Sequence, residues 1–242
     1  MEVVKLEKVD STNNWAKSNL ASLKDFTCVA ADCQTNGRGR LNRSWIDLGC
    51  GNIFASIVLK PSETFNEIYP NLTQYLSVVL CEVFEDYGLV PQIKWPNDVL
   101  IDGKKIAGIL SETVMEGNTL KGIVLGFGVN LKSEEGDLKN IPDKIATSLN
   151  LEIGKIITPE EFLNVLFEKF EKNYDEFLSK GFEFIKDDYV KRTDFLGKEI
   201  SVKGFDKTQF GVAGEITARG ELVLEKDSGE KVVLTIGDIN YE

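Results

Sequence analysis

The chain has 242 residues, 42% of them hydrophobic and 28% charged, with a formal net charge of −11, the profile of a globular protein large enough for a substantial core. It contains no histidine, which removes Ser-His-Asp and Cys-His catalysis and imidazole metal sites together. Its acidity argues against a nucleic-acid partner, because phosphate backbones are met by clustered Lys and Arg. No apolar run reaches membrane-spanning length, and the opening MEVVKLEKVDSTNN has no signal-peptide pattern. Cys28, Cys33, Cys50 and Cys81 form no C-x-x-C pair and read as reduced thiols in a cytoplasmic protein.

Val3, Val4 and Leu6 predict an opening strand, and Ser11 or Thr12 an N-cap for a helix over Asn14 to Leu20. Phe26 to Ala31 reads as a buried strand, and Asp32 to Trp45 as a long loop. That loop holds Gly37-Arg38-Gly39-Arg40 and Arg43 and, between Cys33 and Ile46, no acid. In an acidic protein this local inversion of sign points either to a solvated basic loop or to a small anionic ligand. Gly51 to Leu59 predicts a strand, and the spacing of Leu72, Leu76, Val79, Leu80, Val83 and Phe84 a helix from about Asn66 to Tyr87, stopped by Gly88.

Leu89 to Trp95 leads into Ile93 to Glu112, IKWPNDVLIDGKKIAGILSE, where Asp102-Gly103 marks a tight hairpin between Val99-Leu100-Ile101 and the strand from Ile106. Lys94 stands at a strand end before Pro96, a place where a lysine is most often simply solvated. Leu120 to Leu131 is a further strand. Its Gly126-Phe127-Gly128 lacks the helix that a dinucleotide fingerprint requires, so it marks a bulge or a close ligand approach. Pro142 to Leu149 predicts a short helix, Pro159 to Lys180 a long one capped by Thr158, and Phe182 to Lys191 another. Past Thr193 the pattern changes to short strands at Glu199 to Val202, Gln209 to Ile216, Glu221 to Leu224 and Lys231 to Leu234. This divides the chain into 1–193 and 194–242, with an α+β layer architecture in the first part.

Four stretches in this order, Ser11-Thr12-Asn13, Gln34 with Gly37-Arg38-Gly39-Arg40 and Trp45, Lys94-Trp95-Pro96-Asn97-Asp98 through Glu112, and Gly126-Phe127-Gly128-Val129-Asn130, resemble the biotin protein ligases. These are ATP-dependent enzymes that attach biotin to carboxylase carrier domains. The resemblance implies a mixed or antiparallel sheet backed by helices over 1–193 and a small SH3-like β-barrel over 194–242. It implies biotin binding by Ser11, Thr12, Asn13, Gln34, Gly37, Arg38, Gly39, Arg40 and Lys94. Adenylate binding falls to Arg38, Arg40, Trp45, Lys94 and Asn130. Lys94 and Arg40 are the implied catalytic cations. ATP enters with Mg²⁺, for which no ligand cluster can be read, and the expected partner is a biotin carboxyl carrier domain. A homodimer is compatible with the sequence and not required by it.

Two other classes bear comparison. A lipoate or octanoate ligase shares the implied fold and acyl-adenylate chemistry. A biotin-responsive DNA-binding repressor needs a helix-turn-helix for which the residues before Ser11 leave no room, so operator binding is not expected.

Overall fold

The structure, a computed structural model describing residues 1–41, 43–61, 66–138 and 145–241, takes its layers from simple alternation. In β7 (Thr119–Val129), Ile123, Leu125, Phe127 and Val129 enter the main core with α2 (Leu72–Asp86) and α5 (Pro159–Lys180). The intervening residues face the other way, where Val124 packs under α1 (Thr12–Ser18) with Ala16 and Leu20. The sheet runs β1 (Glu2–Val9), β2 (Thr27–Gln34), β3 (Ile53–Leu59), β7, β6 (Lys104–Glu116), β5 (Asp98–Ile101), β4 (Pro91–Lys94). Only β1 and β2 pair in parallel. The mixed sheet backed by helices is thus as expected.

Local chemistry explains the boundaries. Thr158 Oγ1 accepts from Glu161 N, and Glu161 Oε2 accepts from Thr158 N, closing a capping box at the start of α5. Asp102 and Gly103 take φ values of 47° and 73°, as a two-residue hairpin turn requires. The predicted helix over 66–87 opens with a 3₁₀ turn, Tyr69–Asn71, before α2. Phe182 to Lys191 divides into a 3₁₀ turn, Gly181–Phe184, and α6 (Lys186–Val190). Two shorter helices, α3 (Glu135–Leu138) and α4 (Leu149–Ile153), lie between β7 and α5.

Two expectations change. Residues 142–144 of the predicted helix at 142–149 lie outside the described residues. The stretch 145–148 is extended, because Lys105 N donates to Ile145 O and Thr147 N to Lys105 O, and the helix starts only at Leu149. In the C-terminal part, β8 (Glu199–Lys203), β9 (Thr208–Ile216), β10 (Leu222–Glu225), β11 (Lys231–Leu234) and an unforeseen β12 (Asp238–Tyr241) form an antiparallel sheet ordered β11-β10-β9-β8-β12. Among the described residues no ladder joins its two four-residue edge strands, so it is an open sheet and not a closed barrel.

The β9–β10 turn plugs the second sheet into the first. Gly220 O accepts from Trp95 Nε1 at 3.0 Å and from Gln74 Nε2 at 2.8 Å, and Arg219 O accepts from Asn71 Nδ2 at 2.9 Å. Gly220 has φ +78°, and a Cβ there would stand 2.5 Å from Gln74 Oε1. Gly220→Ala is therefore expected to cost about 2 kcal/mol, the strain of a left-handed alanine plus a disturbed hydrogen bond. Gly229→Ala, with φ +81° and open space around it, carries the backbone strain alone. Urea unfolding of the two variants checks this, and equal midpoints would show that the plug contributes nothing.

Candidate active site

One cross-strand row carries the floor of the site. Phe54, Gly128, Gly108, Asp98 and Lys94 are register partners in turn across β3, β7, β6, β5 and β4. The residues beside them on the same face include Ser56, Gly126, Leu110 and Glu112. The glycines make this face bare. A Cβ at Gly128 would lie 2.4 Å from Trp45 Cε2, one at Gly108 2.8 Å from Trp45 Cζ3, and one at Gly126 2.0 Å from Asn13 Oδ1. The ladder shows no bulge at Gly126 or Gly128; the register of β6 and β7 shifts only near Val114 and Met115. The close approach expected at this Gly-x-Gly is thus made by the protein's own Asn13 and Trp45.

Above the floor lies a cleft with about 60 Å³ of free space, room for a few water molecules. Its walls include Ser11, Thr12, Asn13, Gln34, Arg38, Gly39, Arg40 and Trp45 of the expected set. Gly37, Lys94 and Asn130 of that set are not among its described lining residues. Gly37 packs against Trp45, whose carbonyl oxygen would lie 2.5 Å from a Cβ there. Asn130 is committed to the main chain, with Nδ2 donating to Thr147 O at 3.0 Å. Lys94 sits on edge strand β4, two strand spacings or roughly 10 Å from Gly108 along the row. Burial pushes its ammonium below the usual lysine range, a push opposed by Asp98 and Asp238 and reinforced by Lys105 and Arg43.

Lys105 lines the cleft instead. A register shift between Val99 and Leu100 puts an extra β6 residue beside β5, the kind of irregularity that re-aims a side chain. Lys105 Nζ ends 2.5 Å from Asp98 Oδ1 and 5.3 Å from the centre of the Trp45 ring. Gly103-Lys104-Lys105 stands beside a hairpin turn and gives no local sign of which lysine enters the cleft. Trp45 Nε1 is buried and has no acceptor among the described residues, an open donor on a side chain that lines the cleft.

At the α1 end, Ser11 occupies the N-cap position without a side-chain capping bond, and both Ser11 and Thr12 line the cleft. Thr12 N and Oγ1 both donate to Gln34 Oε1, at 2.8 and 3.2 Å. Ser56 Oγ lies 2.6 Å from Asn13 Oδ1 and 2.8 Å from Thr12 Oγ1, its single proton serving one of them at a time. Asn13 Nδ2 donates to Glu112 Oε2 at 2.9 Å, and Lys17 and Arg38 reach Glu112 Oε1 at 2.7 and 3.0 Å. Burial alone would raise the Glu112 carboxyl; the hydrogen bonds from Lys17 and Asn13 and the nearby cations outweigh it and hold the group below its ordinary value.

At the other end, Arg40 Nη1 donates to Asn97 Oδ1 at 2.6 Å and Nη2 to Gly237 O at 3.2 Å, while Asn97 Nδ2 donates to Ile109 O. Asp238 approaches Arg40 at 3.8 Å and Arg43 at 2.6 Å. The loop is a small hairpin of its own, with Gly39 N donating to Arg43 O and Trp45 N to Gly37 O. A roomier cavity of about 760 Å³ lies between β1–β3 and the start of α5. Its one lysine, Lys5, is paired with Glu160, its other charges are acidic, and none of the four motifs' residues lines it. The smaller cleft is therefore the candidate site.

Known proteins match this chain in sequence and in fold. The sequence profile described as the Biotin/lipoate A/B protein ligase family matches residues 3–130. The chain is 32% identical over 208 residues to the bifunctional ligase/repressor BirA of Bacillus subtilis (strain 168), covering 86% of this chain and 64% of that protein. It is 30% identical over 235 residues to the biotin--[acetyl-CoA-carboxylase] ligase of Paracoccus denitrificans, covering 94% and 96%. Among solved structures, the biotin protein ligase from Aquifex aeolicus in complex with biotin and ATP matches with a TM-score of 0.82 at 27% identity, over 100% of this chain and 99% of that one. The chain thus spans less than two-thirds of the Bacillus protein and nearly all of the Paracoccus one. With a profile matched over more than half its length and a relative of 30% identity covered almost end to end, the chain belongs to the biotin/lipoate A/B protein ligase family.

Proposed function

We propose that this protein is a biotin protein ligase. It joins biotin and ATP to give biotinyl-5′-AMP and pyrophosphate, and then passes the biotinyl group to a lysine of a biotin carboxyl carrier domain. The observation that carries the reading is one cleft in which Lys105, Arg40 and Arg43 face a polar α1 terminus across a glycine floor. The activity for which the Paracoccus relative is named and the ligands bound in the Aquifex structure point the same way.

The first step brings two anions together, so its main obstacle is charge. As the biotin carboxylate attacks the α-phosphorus and pyrophosphate departs, fixed cations in a partly dry site lower the barrier. Lys105, oriented by Asp98, takes the role expected of Lys94, and Arg40, held by Asn97, faces the phosphates. Ser11, Thr12, Asn13 and Gln34 offer the mixed donors and acceptors that a ureido ring needs, with one carbonyl and two N–H groups. Trp45 Nε1 supplies one more donor beside the adenylate. Mg²⁺ arrives as part of the nucleotide substrate. In the second step the carrier lysine attacks the acyl carbon and AMP leaves.

Residues 1–193 form the catalytic unit in this reading and 194–242 a C-terminal unit; the seven-stranded sheet closes before Thr193 and the five-stranded one opens after it. Four unpaired thiols suit a reducing cytoplasm.

Exchange of labelled pyrophosphate into ATP tests the activity. Wild type is expected to exchange with biotin and not with lipoate; exchange with lipoate alone would move the assignment to the other branch of the family. Lys105→Ala is expected to lose about a hundredfold, the worth of one transition-state charge of about 3 kcal/mol, and Lys94→Ala less than about tenfold. The reverse order would return the catalytic role to Lys94.

A pH experiment checks Glu112, which orients Asn13 and holds Arg38. Its folded pKa is lowered from 4.5, so its stabilisation is full above the unfolded value and is lost as pH falls through the folded one. The melting-temperature gap between wild type and Glu112→Gln should be widest near neutrality and close as pH falls through that lowered value. A gap that ignores pH would remove the carboxylate from this role.

A further inference from the structure

Arg40 and Arg43 already hold an anion. Asp238, the first residue of β12, reaches from the C-terminal sheet into the cleft wall. Its side chain is only 16% exposed, with Oδ2 2.6 Å from Arg43 Nη1 and Oδ1 3.8 Å from Arg40 Nη1. Among the described residues no donor meets Oδ2 at a hydrogen-bonding angle, so the contact with Arg43 is one of charge. The preceding carbonyl, Gly237 O, takes Arg40 Nη2, and Lys94 also feels the carboxylate. Asp98, the other acid of the cleft, is occupied by Lys105.

A carboxylate edge offers two oxygens to guanidinium forks much as a phosphate edge does. Resting on the ligase reading, we propose that Asp238 is an internal stand-in for a nucleotide phosphate, keeping Arg40 and Arg43 in position until a polyphosphate displaces it. Two anions cannot share these cations without repulsion at short range in a poorly solvated site. Nucleotide entry therefore drives Asp238 out and loosens β12, which is held to its sheet by the β8 ladder alone among the described residues. Asp238 is a positioning residue in this scheme, coupling the phosphate site to the edge of the second sheet. A merely structural ion pair makes the opposite prediction for its removal, because the arginines would then lose their placement and bind phosphate less well.

The probe is pyrophosphate, titrated calorimetrically into wild type and Asp238→Asn without biotin. The Asn variant is expected to bind about tenfold tighter, having lost the competing charge; equal or weaker binding overturns the proposal. A second measurement needs no variant: pyrophosphate should speed hydrogen exchange of the β12 amides in wild type, and unchanged or slowed exchange overturns it too. Biotin-dependent pyrophosphate exchange by wild type separates this result from the ligase reading. Its absence alongside tighter binding by Asp238→Asn would sink the ligase assignment and leave the anion substitution standing. Its presence alongside equal or weaker binding would sink the substitution alone.

Discussion

Every approach to the cleft depends on three Cβ atoms that β6 and β7 lack. At Gly108, Gly126 and Gly128 a methyl group would stand 2.8, 2.0 and 2.4 Å from side-chain atoms of Trp45 or Asn13, distances that no packing adjustment of a sheet backbone can absorb. Alternation makes this possible without thinning the core. The neighbouring β7 residues Leu125, Phe127 and Val129 still bury their side chains against the helices of the opposite layer. A single strand thus supports a dense interior on one side and an empty shelf on the other.

The shelf is closed from above by charge more than by apolar contact. Arg38 is tied to Asn14 and Glu112 on the α1 side, while Arg40 and Arg43 are tied to Gly237 and Asp238 on the C-terminal sheet. The loop therefore spans two sheets, with a carboxylate at each end matching its cations. Such pairs, partly shielded from water, are costly to break one partner at a time, which gives the ligand-free cleft a definite shape. The same arrangement leaves the interior small, because indole and carboxylate take up space that a substrate needs.

Much of this was legible in the sequence, for physical reasons that differ from place to place. Long periodic segments such as α5, with its Thr158 cap and Glu161, announce themselves locally. The Asp102-Gly103 turn does too, since few residue pairs accept two positive φ values. The motif residues Ser11, Gln34, Arg40 and Trp45 line one cleft. The sequence points to Lys94 and passes over Lys105, because the difference lies in a register shift between β5 and β6 that no local pattern encodes. Asp238 was invisible for a related reason: its strand is four residues long and finds its partner, β8, far back in the chain. The stretch 145–148 became extended through hydrogen bonds to Lys105, a tertiary override of helix propensity.

The Trp95–Asn97 segment grips the second sheet twice. Trp95 bonds directly to Gly220, while Asn97 acts through Arg40 on Gly237. The two holds sit two positions apart on one piece of main chain, yet they touch the second sheet at places seventeen positions apart. The seat of the second sheet against the indole and the place of the Arg40 guanidinium in the cleft wall are thus set by the same short stretch of main chain.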